Sequence, residues 1–322
     1  MTSPSARPMT RPATLPSPAT PPVRSPPTSW TNIAERGSVL GIWMMVVLCR
    51  LLGRGFARLV LRVVVLYFVL FAPGARRASR DYLRRVDRPS GFWAVYGHCL
   101  RFAHCTLDRL FWAMGRQEAF ELTTTGSEHL VQLVRERRGA LLLGAHLGSF
   151  EAMVGVARHE SVPLNIVGYF KNARRINGVL DRLNPARNTR LLSVEPGMNF
   201  VLTLKERIDA GELVAILADR VGLGERSVEV DFLGGRASFP SGPTLLAAIL
   251  KCPVYLTFGL YREPNRYDLH CEPFADRVAL PRGDREQAAA LHVQKFATRL
   301  EHYCRLAPDN WFNFYDYWRV SS

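Results

Sequence analysis

The sequence predicts an α/β fold, a mainly parallel central sheet with helices on both faces, preceded by an N-terminal helical segment. Three observations carry this. From residue 120 onward, short apolar runs alternate with stretches of helical spacing, as in strands buried on both faces by crossover helices. Upstream, residues 38–72 are the most apolar part of the chain. The charge is also uneven. The 322 residues carry a net +14, and residues 33–90 supply eleven arginines against Glu35, Asp81 and Asp87. A basic excess beside the most apolar segment argues for an anionic membrane surface rather than nucleic acid, so the leading helices are expected to be membrane-associated.

Residues 1–32 are a disordered lead, with nine prolines among Ser, Thr and Ala in the first thirty positions and no hydrophobic region of signal-peptide type. Residues 33–74 form the helical membrane segment. Its two apolar runs, 39–49 and 59–72, are each shorter than the roughly 20 residues a bilayer span needs. Arg50, Arg54, Arg58 and Arg62 recur every fourth residue, giving a drifting stripe that faces phosphates or acidic protein groups. Pro73 and Gly74 end the segment, and from the basic stretch 76–88 the rest of the chain is expected to lie in the cytoplasm. The remainder, 75–322, reads as one domain. Residues 91–115 have the spacing of a buried helix, in which His98 and His104 read as core residues. Strand-like runs come next at 120–124, 140–144, 164–168, 190–194, 212–218, 227–232, 254–260 and 267–272. Helix-like stretches lie at 127–137, 149–159, 173–183, 198–209, 242–250 and 284–306. Six cysteines without CxxC spacing read as reduced, mostly buried thiols, and no metal site is visible.

Chemistry concentrates at 139–151, where an apolar strand ends in the turn GAHLGSFE (144–151). Polar groups at strand C-terminal ends are where open α/β sheets hold ligands. A general base needs its imidazole fixed in one tautomer, which a carboxylate on the other ring nitrogen achieves. In a regular helix His146 and Glu151 would point about 140° apart. They meet only if the first residues form a turn, which Gly148 and Ser149 permit. Without that meeting, His146 caps a strand end and Glu151 complements a helix dipole.

The turn resembles the H-x4-D/E motif of glycerolipid acyltransferases, closest to its form in the bacterial lipid A late acyltransferases (the lauroyl/myristoyl transferase family). Further blocks resemble that family in order: KNARRINGVLD at 171–181, ADR at 218–220, VDFLGGRASFPSGP at 230–243, CPV at 252–254 and PDNWF at 308–312. The resemblance spans about 38–318. It implies that His146 deprotonates an acceptor hydroxyl, with Glu151 as its partner. The hydroxyl then attacks the thioester of an acyl carrier protein or coenzyme A conjugate. No cofactor is implied, and the acceptor is a membrane lipid or glycolipid at the cytoplasmic face of the inner membrane. Lys171, Arg174 and Arg175, three cations within five residues, suit an anion site. Asp219 suits holding an arginine or an acceptor hydroxyl. Phe232 and Gly234 sit in turns that let a backbone approach an acyl chain closely. The second block lacks the family's usual Tyr-Arg-Pro order, leaving open which cation is equivalent to its functional arginine. Likewise Leu250, Lys251 and Cys252 replace Thr-Gly-Ala-like residues, leaving the acceptor open. Two rivals remain: an esterase-type hydrolase using Ser149, although G-x-S-x-G is absent, and a non-catalytic lipid-binding protein.

Overall fold

Alternation of residues along two central strands builds the core. In the computed structural model, which describes residues 39–159, 163–168, 189–194, 197–222 and 225–318, strand β2 (Ala140–Gly144) pairs in parallel with β5 (Leu213–Leu217). Leu141, Leu143 and Val214 face one apolar cluster, while Ala140, Leu142, Leu213 and Ala215 face another. All five residues of β2 are buried. A strand apolar at every position is therefore what covering on both faces demands.

The other strands are β1 (Glu121–Thr125), β3 (Leu164–Gly168), β4 (Thr189–Ser193), β6 (Ser227–Phe232), β7 (Gly235–Pro240), β8 (Val254–Arg262) and β9 (Arg266–Ala275). Seven of the nine strands among the described residues, β2 and β5 included, form one sheet in the order β1-β9-β8-β2-β5-β3-β4, parallel except where β9 runs antiparallel to β8. The mainly parallel sheet read from the sequence is observed. Two details differ. The run at 227–232 does not join the sheet but pairs with β7, a strand absent from the sequence reading, as a separate hairpin. Its connection is Leu233 and Gly234, at φ 50° and 71°. Two successive positive φ values are what a two-residue hairpin turn uses. The expected helix at 173–183 lies outside the described residues.

Helices α4 (Ser127–Arg135) and α5 (Phe150–His159) pack on one face of the sheet. The other face is covered by α6 (Met198–Asp209), α7 (Gly242–Leu250) and α8 (Arg285–Leu306). Before them come α1 (Val39–Phe71), α2 (Pro73–Arg85) and α3 (Phe92–Ala113). Gly53, at φ 76°, kinks α1. No single helix among the described residues is long and apolar enough to cross a membrane. One pair passes by length and composition together, Trp43–Phe71 with Pro73–Arg85, and it is bent by 97°.

The arginine stripe on α1 turns toward protein groups. Arg54 makes a two-pronged pair with Asp108 of α3, at 2.7 and 2.8 Å, and donates to the Pro264 carbonyl at 3.0 Å. Arg58 reaches His104 and Glu263. Arg50 and Arg62 remain exposed. The apolar side of α1 faces outward, with Met44, Leu51, Val63, Tyr67 and Phe71 all exposed. His98 and His104 are buried as expected, His98 between the Ser79 hydroxyl (2.8 Å) and the Trp311 carbonyl (3.1 Å). All six cysteines are free and buried.

Asp108 has no solvent exposure and also accepts a 2.7 Å hydrogen bond from the Tyr267 hydroxyl. Its removal strands Arg54 and the phenol together. Asp108→Ala is expected to lower unfolding stability by about 3–5 kcal/mol in denaturant titrations. Arg236→Ala, which breaks an exposed pair with Asp231, is expected to cost at most about 1 kcal/mol.

Candidate active site

The parallel register of β2 and β5 sets the site. Ala140 stands opposite Leu213, and the pairing holds through Gly144 and Leu217. Continuing that register two residues past the strand ends brings His146 beside Asp219. The backbone N–H of Ala218 donates to the Gly144 carbonyl at 2.9 Å, carrying the pairing past the strand ends. His146 Nδ1 lies 2.8 Å from Asp219 Oδ1. An ionised carboxylate only accepts, so Nδ1 carries the proton and Nε2 keeps a free lone pair. About a third of the His146 side chain is accessible, whereas Asp219 has none exposed.

Three donors surround the Asp219 carboxylate. Oδ1 takes the imidazole, and Oδ2 takes the His146 backbone N–H and the Trp311 indole N–H, each at 3.1 Å. Burial by itself would raise the pKa of this carboxyl. The His146 imidazole, its hydrogen bonds and the Arg220 cation outweigh burial and hold it well below the usual carboxylate range. His146 is shifted below the ordinary histidine value by burial and by Arg220 and Arg109, against the opposing pull of Asp219. The ring is therefore neutral at pH 7 and able to accept a proton.

Glu151, expected on the imidazole, is elsewhere. It opens α5 and forms an ion pair with Arg109 of α3. The carboxylate on His146 comes from the neighbouring strand because register places it there, while the turn carries Glu151 toward α3. Arg109, which the sequence reading missed, thus stands beside the site. Nothing in the spacing of α3 marks it, although it immediately follows the buried Asp108.

The turn itself is tightly specified. Gly148 has φ 68°, and a Cβ there would sit 2.0 Å from the Gly259 carbonyl oxygen of β8. Its N–H donates to the Asn310 carbonyl at 2.8 Å, and the N–H of Ser149 donates to Gly259 at 2.8 Å. Ser149 is buried, and its hydroxyl accepts from the Ala152 N–H at 3.2 Å. That is a helix N-cap, not an exposed nucleophile.

The C-terminal segment frames the turn from the other side. Phe312 N–H donates to the His146 carbonyl at 2.9 Å, and Arg220 donates to the Phe312 carbonyl at 2.6 Å. The Asn310 amide exchanges hydrogen bonds with the Tyr261 backbone, and the Tyr317 hydroxyl donates to the Asp219 carbonyl at 2.7 Å. Trp311 is fully buried against Tyr82, Phe232, Tyr317 and Trp318. The aromatic tail is a packed wall around the dyad.

Phe232 and Gly234 are placed differently from expectation. Phe232 has no exposed surface and stacks on Trp318, so its ring belongs to the core. Gly234 serves the hairpin turn. Lys171, Arg174 and Arg175 lie outside the described residues. Among the described residues, no three His, Cys, Asp or Glu side chains gather as a metal site would require.

The site is thus a partly accessible imidazole fixed by a buried carboxylate at the C-terminal ends of two parallel strands. Residues 110–320 match the family model described as Bacterial lipid A biosynthesis acyltransferase, and the chain belongs to that family. It is an acyltransferase acting on lipid A-like acceptors. A search of curated proteins returns no match.

Two substitutions test the framing of the site. Gly148→Ala combines a strained φ with a backbone clash. It is expected to cost several kcal/mol of stability and most of the activity, read by thermal unfolding and turnover. Ser149→Ala is expected to lose only the cap, about 1 kcal/mol, with turnover retained. Abolished turnover in a folded Ser149→Ala protein would favour a hydrolase.

Proposed function

We propose that His146 is the general base of a direct acyl transfer from the thioester of an acyl carrier protein, or of coenzyme A, to a hydroxyl of a lipid A-like membrane acceptor. The observation that carries this reading is the 2.8 Å contact of His146 Nδ1 with a carboxylate that has no solvent exposure. Nε2 removes the hydroxyl proton as the oxygen attacks the thioester carbonyl. The new C–O bond forms as the C–S bond breaks, and the imidazolium returns its proton to the departing thiolate. Asp219 stays ionised throughout, fixing the tautomer and balancing the imidazolium charge. No acyl-enzyme forms, in keeping with a buried, capping Ser149.

The Arg109–Glu151 pair sets the electrostatics beside the base rather than orienting it. Lys171, Arg174 and Arg175 supply the cations for a phosphate on the acceptor or the carrier. The enzyme works at the cytoplasmic face of the inner membrane. The exposed apolar side of α1 seats in the interface, and the arginines of α2 stay on the cytoplasmic side. This seating gives the base access to a membrane-embedded acceptor without requiring α1 to span.

Turnover of acyl carrier thioester with a membrane lipid acceptor tests the assignment. His146→Ala is expected to lower kcat/KM by about 10²–10⁴-fold. Asp219→Asn is expected to cause a loss of similar order, because the tautomer is no longer held. Full acylation by His146→Ala would refute the mechanism.

The pH profile gives a second test. A base must be unprotonated, so activity falls as pH drops through the His146 pKa, which lies below the ordinary value of 6.5. The acidic limb of kcat/KM is therefore expected below pH 6.5. Arg109→Gln removes a cation that depresses this pKa, so the limb is expected to move to higher pH.

A further inference from the structure

We propose that the elbow between α1 and α2 is a binding site for the phosphate of an anionic bilayer phospholipid, separate from the acyl-transfer site. The proposal rests on the seating of α1 at a membrane and adds to it a specific headgroup contact. The two helices bend by 97° at Ala72, and the bend leaves a recess of about 240 Å³ lined by Pro73, Arg76, Arg77, Arg80 and Phe92. Three of its five lining residues are arginines, and none is acidic. At positions i, i+1 and i+4 on the first turns of α2 they line one recess, and guanidinium groups suit phosphate oxygens.

The three arginines divide the work. Arg76 donates to the Val69 and Leu70 carbonyls at 3.0 and 3.1 Å, so it ties the end of α1 to α2 and holds the bend. Arg80 donates to the Ser90 carbonyl at 3.2 Å. Arg77 is exposed and makes no hydrogen bond or ion pair with any described residue. The N-terminus of α2 adds to the positive field. No side chain caps it and no acid lies in its first turn.

The surroundings decide between a lipid and a soluble phosphate compound. Phe71, two residues before the recess, is 67% exposed, and Trp93, next to the lining residue Phe92, is 73% exposed. Leu66, Tyr67 and Leu70 extend the exposed apolar surface back along α1. Large aromatic side chains beside arginines are what a membrane–water interface selects, ring in the acyl boundary and guanidinium at the phosphates.

Co-sedimentation of the full chain with vesicles separates the alternatives. Neutral phosphatidylcholine vesicles read the seating of α1, and the gain on adding phosphatidylglycerol reads the elbow. Arg77→Glu is expected to leave neutral binding intact and cut the phosphatidylglycerol gain by about 25-fold, at roughly fivefold for each unit of charge changed. Arg77→Gln is expected to cut it about fivefold. Arg88→Glu, an exposed arginine of the same segment outside the recess, is expected to change it by less than about twofold. Unchanged melting of the Arg77 variants confirms that folding is not the cause.

Equal losses for Arg77→Glu and Arg88→Glu would mean diffuse attraction and overturn the site. No gain from phosphatidylglycerol would overturn it while leaving the seating intact. Absence of binding to either vesicle would overturn both readings. An Arg77-dependent thermal shift with inorganic phosphate, without any phosphatidylglycerol gain, would assign the recess to a soluble ligand and overturn the lipid proposal.

Discussion

A carboxylate with no access to water stays ionised only if protein donors replace its hydration, and Asp219 collects three of them. Two come from His146 and one from Trp311, so the anion ties together the end of β2, the end of β5 and the C-terminal segment. The parallel register of β2 and β5 places Asp219 opposite His146, and the close approach of Gly148 to Gly259 fixes how the chain leaves the strand. The aromatic wall depends on the same anion. Trp311 can bury its indole N–H only because Oδ2 accepts it. Removing the charge would leave an indole, a backbone amide and an imidazole competing for partners that the core does not supply.

The leading helices are continuous with this arrangement rather than appended to it. Asp108 binds Arg54 of α1, and the next residue, Arg109, pairs with Glu151 at the start of α5. One turn of α3 thereby connects the helix with the exposed apolar face to the helix that follows the His146 turn. Tyr82 of α2 packs on Trp311, and Arg85 stacks over Trp318. These contacts hold the exposed apolar face of α1 in a fixed relation to the His146–Asp219 pair.

The strands and most of the helices are legible in the sequence because burial on both faces forces apolar runs, which turn residues then interrupt. The hairpin is not. Its turn uses Leu233 at positive φ, where a non-glycine residue is uncommon, and β7 carries Arg236 and Ser238 on its open side. Each half of the dyad is visible as a polar residue at a strand end. Their pairing is not, since it depends on which strands become neighbours across 73 residues. Sequence proximity favours Glu151 instead. The glycines beside Phe232 suggest a surface for the acyl chain, whereas packing against Trp311 and Trp318 draws its ring into the core.

The most direct test is the imidazole itself. Proton and nitrogen NMR of the protein labelled at histidine should show a strongly deshielded Nδ1–H for His146 at neutral pH, with a titration midpoint below 6.5. Asp219→Asn is expected to remove this signal and Glu151→Gln to leave it in place. Retention in Asp219→Asn, with loss in Glu151→Gln, would contradict the assignment of Asp219 as the partner of the base.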